Sequence, residues 1–235
     1  MTNKKINQRN LSLLKYYSLL NMNLSLSNSP INRFKFNKNL QNDHEKLKKL
    51  KNLKKKIENL KNCELKKFAN NIVFSDGNID SKIMIIGEGP GAEEDKLGIP
   101  FVGRAGKLLD KMLESIGLDR TKVYISNVVN YRPPQNRKPS DEEIKRYYPF
   151  LRSHIEIINP KILLLLGSTA LKTIVGNVDV ISKARGKWLK KKIGTCSPDT
   201  IASFHPAFLM RQPDQKKLAW IDLKLVREKA KQLKL

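Results

Sequence analysis

A chain of 235 residues, 40% of them hydrophobic, can bury one sizeable core, and its formal charge of +24 points to a polyanionic partner, nucleic acid first. Its longest apolar run, Ile162–Leu166, falls far short of a membrane span, so no membrane partner is expected. Two cysteines, Cys63 and Cys196, exclude a disulfide framework and suit a reducing cytoplasm, and the basic start has no apolar stretch leading to a cleavage site, so no signal peptide is expected.

Residues 1–62 read as a basic, partly helical extension, with 15 Lys or Arg against 3 acids. A short helical patch around Leu11–Leu20 precedes a polar linker-like stretch. Leu47, Leu50, Leu53, Ile57 and Leu60 then recur at helical spacing among lysines, which predicts an amphipathic helix packed on the domain that follows. From Cys63 to Leu235 strands and helices alternate. The predicted strands are Lys82–Ile86, Val123–Asn127, Ile162–Gly167 and Thr200–Phe204. Between and after them lie helical patterns at Gly106–Ile116, from Ser140 to Ile157, at Ser168–Val175 and at Lys216–Leu233. Ser140 and Glu143 form a capping box. The expected fold is a three-layer α/β/α domain around a central, mainly parallel four-stranded sheet. Ligands in such sheets bind beyond the carboxyl ends of the strands, where Glu88, Asn127 and His205 stand.

The loop Gly87-Glu-Gly-Pro-Gly-Ala92 formally matches a dinucleotide fingerprint. Its chemistry argues otherwise. Pro90 removes an N–H donor, and Glu88, Glu93, Glu94 and Asp95 would set four negative charges beside a pyrophosphate. The acid about twenty residues on, Asp110, sits inside a helical pattern. An acidic glycine-rich loop suits a site that steadies developing positive charge or orients a water.

Three separated motifs resemble those of the uracil-DNA glycosylases of the family 4, iron–sulfur type. They are Gly87–Asp95 with Pro100-Phe-Val-Gly-Arg-Ala-Gly106, then Tyr124-Ile-Ser-Asn127 with Arg132-Pro-Pro-Gln-Asn-Arg137, and His205-Pro-Ala-Phe-Leu-Met-Arg-Gln-Pro213. The resemblance runs from about Cys63 to Leu233. It implies a monomeric, monofunctional hydrolase that flips uracil out of single- or double-stranded DNA and cuts its N-glycosidic bond, in the cytoplasm at the nucleoid.

The resemblance further implies that Phe101 stacks on the base, with Gly89 and Glu94 helping to shape the pocket. Asn127 can donate to uracil O4 and accept from N3–H, a polarity that cytosine reverses. His205 would donate to O2, where charge builds as the bond breaks, and Glu88 would orient the water and steady the cationic sugar. Leu209 and Met210 are expected to wedge into the gap left by the flipped base. Arg104, Arg132, Arg137, Lys138 and Arg211 are expected phosphate contacts.

The chain departs from the family at the cluster. The four cysteine positions that the resemblance implies here read Leu60, Cys63, Tyr131 and Tyr147. One thiolate cannot ligate four irons, so no iron–sulfur cluster is expected, and the tyrosine rings should fill the vacated space. A sibling group bonds covalently to DNA through an inserted basic loop. Asn130 here runs straight on to Arg132-Pro-Pro without one. The competing readings are a silent DNA-binding paralogue and, more distantly, an enzyme acting on free nucleotides.

Overall fold

A computed structural model describes residues 38–176 and 180–235, with side chains from residue 44 onward. The helical patch expected at Leu11–Leu20 lies outside the described residues. Helix α1 (Lys38–Glu58) is followed by α2 (Glu64–Phe68), β1 (Asp76–Gly77), β2 (Ile83–Gly87), α3 (Ala92–Leu97) and α4 (Arg104–Glu114). Then come β3 (Tyr124–Asn127), α5 (Asp141–Ile158), β4 (Ile162–Leu166) and α6 (Ser168–Val175). The chain closes with α7 (Ile181–Ala184), β5 (Leu189–Lys190), β6 (Asp199–Ser203), α8 (Pro206–Arg211) and α9 (Lys216–Gln232).

The sheet has six strands in the order β1-β3-β2-β4-β6-β5, two more than expected. β3, β2, β4 and β6 are the four predicted strands, and all three pairings among them are parallel. The additions are two-residue antiparallel edges, β1 on β3 and β5 on β6. Neither is long enough to leave an alternating pattern in the sequence. The chain lays β3 to one side of β2 and then crosses to the other side for β4. The topological switch point therefore lies between β2 and β4, where a crevice opens at the carboxyl ends.

Both faces of the sheet are covered, which is why its central strands are apolar throughout. On one face Met84, Ile86, Leu163 and Leu165 pack with Tyr147, Leu151 and Ile155 of α5, Leu171 and Ile174 of α6, and α1. On the other, Ile83, Ile85, Leu164 and Ile201 pack with Leu109 and Leu113 of α4 and Leu223 and Val226 of α9. The capping box forms as predicted: Glu143 N donates to Ser140 Oγ at 3.1 Å, and Ser140 N donates to Glu143 Oε2 at 2.7 Å.

The compact unit that contains the sheet runs from Asn42 to Leu235. Leu50, Leu53 and Ile57 of α1 are buried in the first core, whereas Leu47 is 40% exposed. Truncating Ile57 to Ala is expected to cost about 2–4 kcal/mol through the lost burial and the residual cavity. Leu47→Ala is expected to stay within about 0.5 kcal/mol, as surface substitutions do. Urea midpoints of the two variants check both values.

Candidate active site

Glu88 follows β2 directly, and Thr169 stands in the first turn of α6, just beyond β4. The Thr169 hydroxyl donates to Glu88 Oε2, so a hydrogen bond spans the switch point. Thr169 is buried and Glu88 half-buried, with its other carboxylate oxygen left for a ligand or water. The sequence reading missed Thr169, because its only signal is a hydroxyl residue at the start of a helix.

Beside Glu88 a cavity of about 170 Å³ is lined by Gly89, Glu94, Phe101, Asn127, Pro133 and His205, among others. That is small beside the usual range for ligand sites, about 300–1,000 Å³, and suits a single ring rather than a whole nucleotide. The strand register sets Gly87 opposite Asn127. A Cβ on Gly87 would lie 2.4 Å from Asn127 Oδ1 and 2.4 Å from Phe101 Cζ, so only glycine lets these two side chains close on each other. Gly89 is constrained in the same way, since a Cβ there would lie 2.8 Å from Val129 Cγ2. Asn127 is 3% exposed, and its Oδ1 is the only buried side-chain polar atom among the described residues without a hydrogen-bond partner.

The acidic loop divides its labour. Glu94 accepts from Gly91 N at 3.1 Å through Oε2 and from Gly103 N at 2.8 Å through Oε1, joining the glycine-rich loop to the segment that carries Phe101. Asp95 is fully buried and accepts from Asn70 N (2.9 Å), Asn70 Nδ2 (2.6 Å) and Asn71 N (3.2 Å). Both are bracing residues by their contacts, although Glu94 also borders the cavity. Phe101 has φ +55, an adverse conformation for a bulky side chain. Arg120, which the sequence reading also missed, donates to its carbonyl.

His205 caps α8, with Ala207 N donating to its Nδ1 at 3.2 Å. An accepting Nδ1 puts the ring proton on Nε2, which makes the side chain a neutral donor. Burial, reinforced by the positive Arg211, pushes its pKa down to about 4. Its ring centroid lies 5.6 Å from that of Phe101. Glu88, Gly89, Glu94, Phe101, Asn127 and His205 thus all border one cavity.

The expected DNA-facing residues divide. Arg104 and Arg211 are exposed, with no ion pair among the described residues. Arg132 Nε donates to Asn136 Oδ1 at 2.8 Å. Arg137 makes a forked pair with Glu143, at 2.6 and 2.8 Å, and also borders the cavity. Of the two residues expected to wedge into the gap, Leu209 is 1% exposed and packs in the core with α4 and α9. Its neighbour Met210 is 38% exposed.

Leu60, Cys63, Tyr131 and Tyr147 come together in the first core. Cys63 Sγ lies 3.3 Å from the Tyr147 hydroxyl, and both residues are buried. Burial pushes the Tyr131 phenol up to about 12, helped by Glu58 and Cys63. Arg146 donates to the carbonyls of Lys61 and Asn62, the latter at 2.7 Å, and so ties α5 to the turn between α1 and α2. One thiol, two phenols and an aliphatic chain do not fit a four-iron cluster, in which each iron needs its own ligand.

Residues 74–224 match the family model for the uracil DNA glycosylase superfamily. The type-4 uracil-DNA glycosylase of Thermotoga maritima is 47% identical over 153 residues, which span 63% of this chain and 77% of that one. The corresponding protein of Sulfurisphaera tokodaii is 40% identical over 186 residues, spanning 77% and 84%. That of Pyrobaculum aerophilum is 37% identical over 168 residues, spanning 70% and 86%.

Besides His205, burial holds His154 neutral, with a pKa down to about 3. Unfolded imidazoles protonate near 6.5. Stability is therefore intact above about pH 6.5 and is lost as pH falls from there toward the folded-state values. Urea midpoints between pH 7 and 4 should fall steadily, and His154→Phe should reduce that slope.

Proposed function

The chain belongs to the uracil DNA glycosylase superfamily, and from that membership we propose that it is a uracil-DNA glycosylase working through the cavity between β2, β3 and β6. The observation that supports this reading best is the buried Asn127, whose side-chain oxygen has no partner although it borders a cavity. An unpaired buried acceptor is costly, and the N3–H of an entering uracil would satisfy it.

In the reaction, exposed Arg104 and Arg211 attract the backbone, and the target base leaves the stack. Met210 enters the gap behind it. The pyrimidine lies against Phe101, and the Asn127 amide pairs with N3–H and O4. Cytosine offers an acceptor and a donor at those positions and is refused. As the glycosidic bond lengthens, charge collects on O2, where the neutral His205 Nε2–H donates to it. Thr169 occupies one oxygen of Glu88. The other orients the attacking water and offsets the positive charge on the sugar. The products are free uracil and an abasic site.

The chain performs this without an iron–sulfur cluster, because the niche holds one thiol and is filled by packed rings. It works as a monomer in the cytoplasm at the nucleoid, on single- and double-stranded DNA.

An end-labelled oligonucleotide with one uracil, treated with the protein and then with alkali, should break at uracil and not at thymine. Glu88→Gln and His205→Ala should each lower kcat by about 10²–10³-fold, the range seen when one preorganised transition-state donor is removed. DNA binding without any cut would favour the silent paralogue. Since the working form of His205 is neutral, the acid limb of kcat should lie near its pKa of about 4 and well below that of a free imidazole. Iron analysis of aerobically and anaerobically purified protein should find far less than four irons per chain.

A further inference from the structure

Phe101 reaches the cavity only by adopting a backbone conformation that a bulky residue resists, at φ +55. Something must hold it there. Part of the answer is Gly106: a Cβ at that position would lie 1.7 Å from the Phe101 carbonyl oxygen, so glycine leaves room for that carbonyl over the start of α4. Turned this way, the carbonyl is outside both sheet and helix and needs a donor from elsewhere.

The donor is Arg120, in the loop before β3. Its Nη2 donates to the Phe101 carbonyl, and its Nη1 donates to the Pro100 carbonyl at 3.1 Å. The guanidinium is itself fixed at two points: Nη1 meets Asp76 Oδ2 of β1 at 2.6 Å, and Nε meets Asp110 Oδ1 of α4 at 2.8 Å. Two carboxylates set the plane of the fork, and two of its remaining N–H groups then point at consecutive carbonyls. Only a planar guanidinium does this; an ammonium would keep the charge and lose the fork. Arg120 does not line the cavity.

We infer that Arg120 is a positioning residue, which holds the Phe101 ring in the wall of the base pocket by clamping the Pro100 and Phe101 carbonyls. The inference rests on Phe101 being the surface on which the base stacks. It predicts that loss of the clamp is felt at the base, through Phe101 alone, although Arg120 does not line the cavity.

The test uses the full chain with Arg120→Lys, Phe101→Ala and the double variant. It reads kcat and KM on the uracil oligonucleotide, inhibition by free uracil, the urea midpoint and a crystal structure of Arg120→Lys. Losing hydrogen bonds from a charged donor should lower kcat/KM by about 10- to 100-fold and weaken inhibition by free uracil. In the Phe101→Ala background the same change should cost nothing further, because the two residues act as one unit. A merely structural role would instead lower the urea midpoint and add to the Phe101→Ala loss. Wild-type kinetics and uracil inhibition in Arg120→Lys, or a loss that persists in the Phe101→Ala background, would overturn the inference. So would a crystal structure of Arg120→Lys in which Phe101 keeps its conformation and its place, and that readout holds whether or not the protein cuts uracil. A wild-type chain that leaves uracil uncut overturns the glycosylase reading instead. If Arg120→Lys does not fold, Asp110→Asn keeps the arginine but loosens its Nε, and should move the same readouts in the same direction.

Discussion

At Gly87 a Cβ would meet Asn127 Oδ1 and Phe101 Cζ, each at 2.4 Å, so the wall of the cavity closes only because β2 ends in a residue without a side chain. The neighbouring backbone makes that end rigid. The Gly87 and Glu88 carbonyls accept from Val128 N (3.0 Å) and Val129 N (3.3 Å), which prolongs the β2–β3 pairing past the last residue of each strand. The β2–β3 side of the site therefore grows out of the sheet, and that side cannot widen without breaking ladder hydrogen bonds. With β4 on its other side, β2 also places Glu88 at the topological switch point, within reach of Thr169.

Electrostatics in the site follow from where each charge is used. Of the loop acids, Asp95 is buried under amide donors, and Glu94 is engaged at both oxygens by backbone N–H groups. Glu93 is exposed and meets Lys96 at 3.3 Å, so of the two loop acids that border the cavity only Glu88 keeps an oxygen without a protein partner among the described residues. Opposite it, burial strips His205 of its charge and leaves one N–H donor. The low dielectric that makes that donor effective also makes a protonated imidazole costly. On the proposed reading Glu88 would face the sugar and the neutral His205 donor the leaving base, the arrangement that heterolysis of a glycosidic bond requires.

At the four positions where the sequence resemblance implies cluster ligands, this chain packs side chains against one another. Leu60, Tyr131 and Tyr147 join α1 to α5, the Cys63 thiol meets a phenol, and Arg146 ties down the intervening turn. Buried surface and directed hydrogen bonds hold that end of the domain together.

Local pattern determined a good deal. The four parallel strands, the Ser140–Glu143 capping box, α6 and the burial of Leu50, Leu53 and Ile57 are all legible in the sequence, because period, caps and apolar runs are short-range signals. Glu88, Asn127 and His205 were legible as strand-end polar groups for the same reason. The tertiary structure alone decided what depends on approach between distant segments. The two-residue edge strands carry no period. Thr169 meets Glu88 across 81 positions, and Arg120 meets Phe101 across 19. Leu209 and Met210 are adjacent and alike in sequence. The helix turns one into the core and the other to solvent, and only the packing of α8 chooses which.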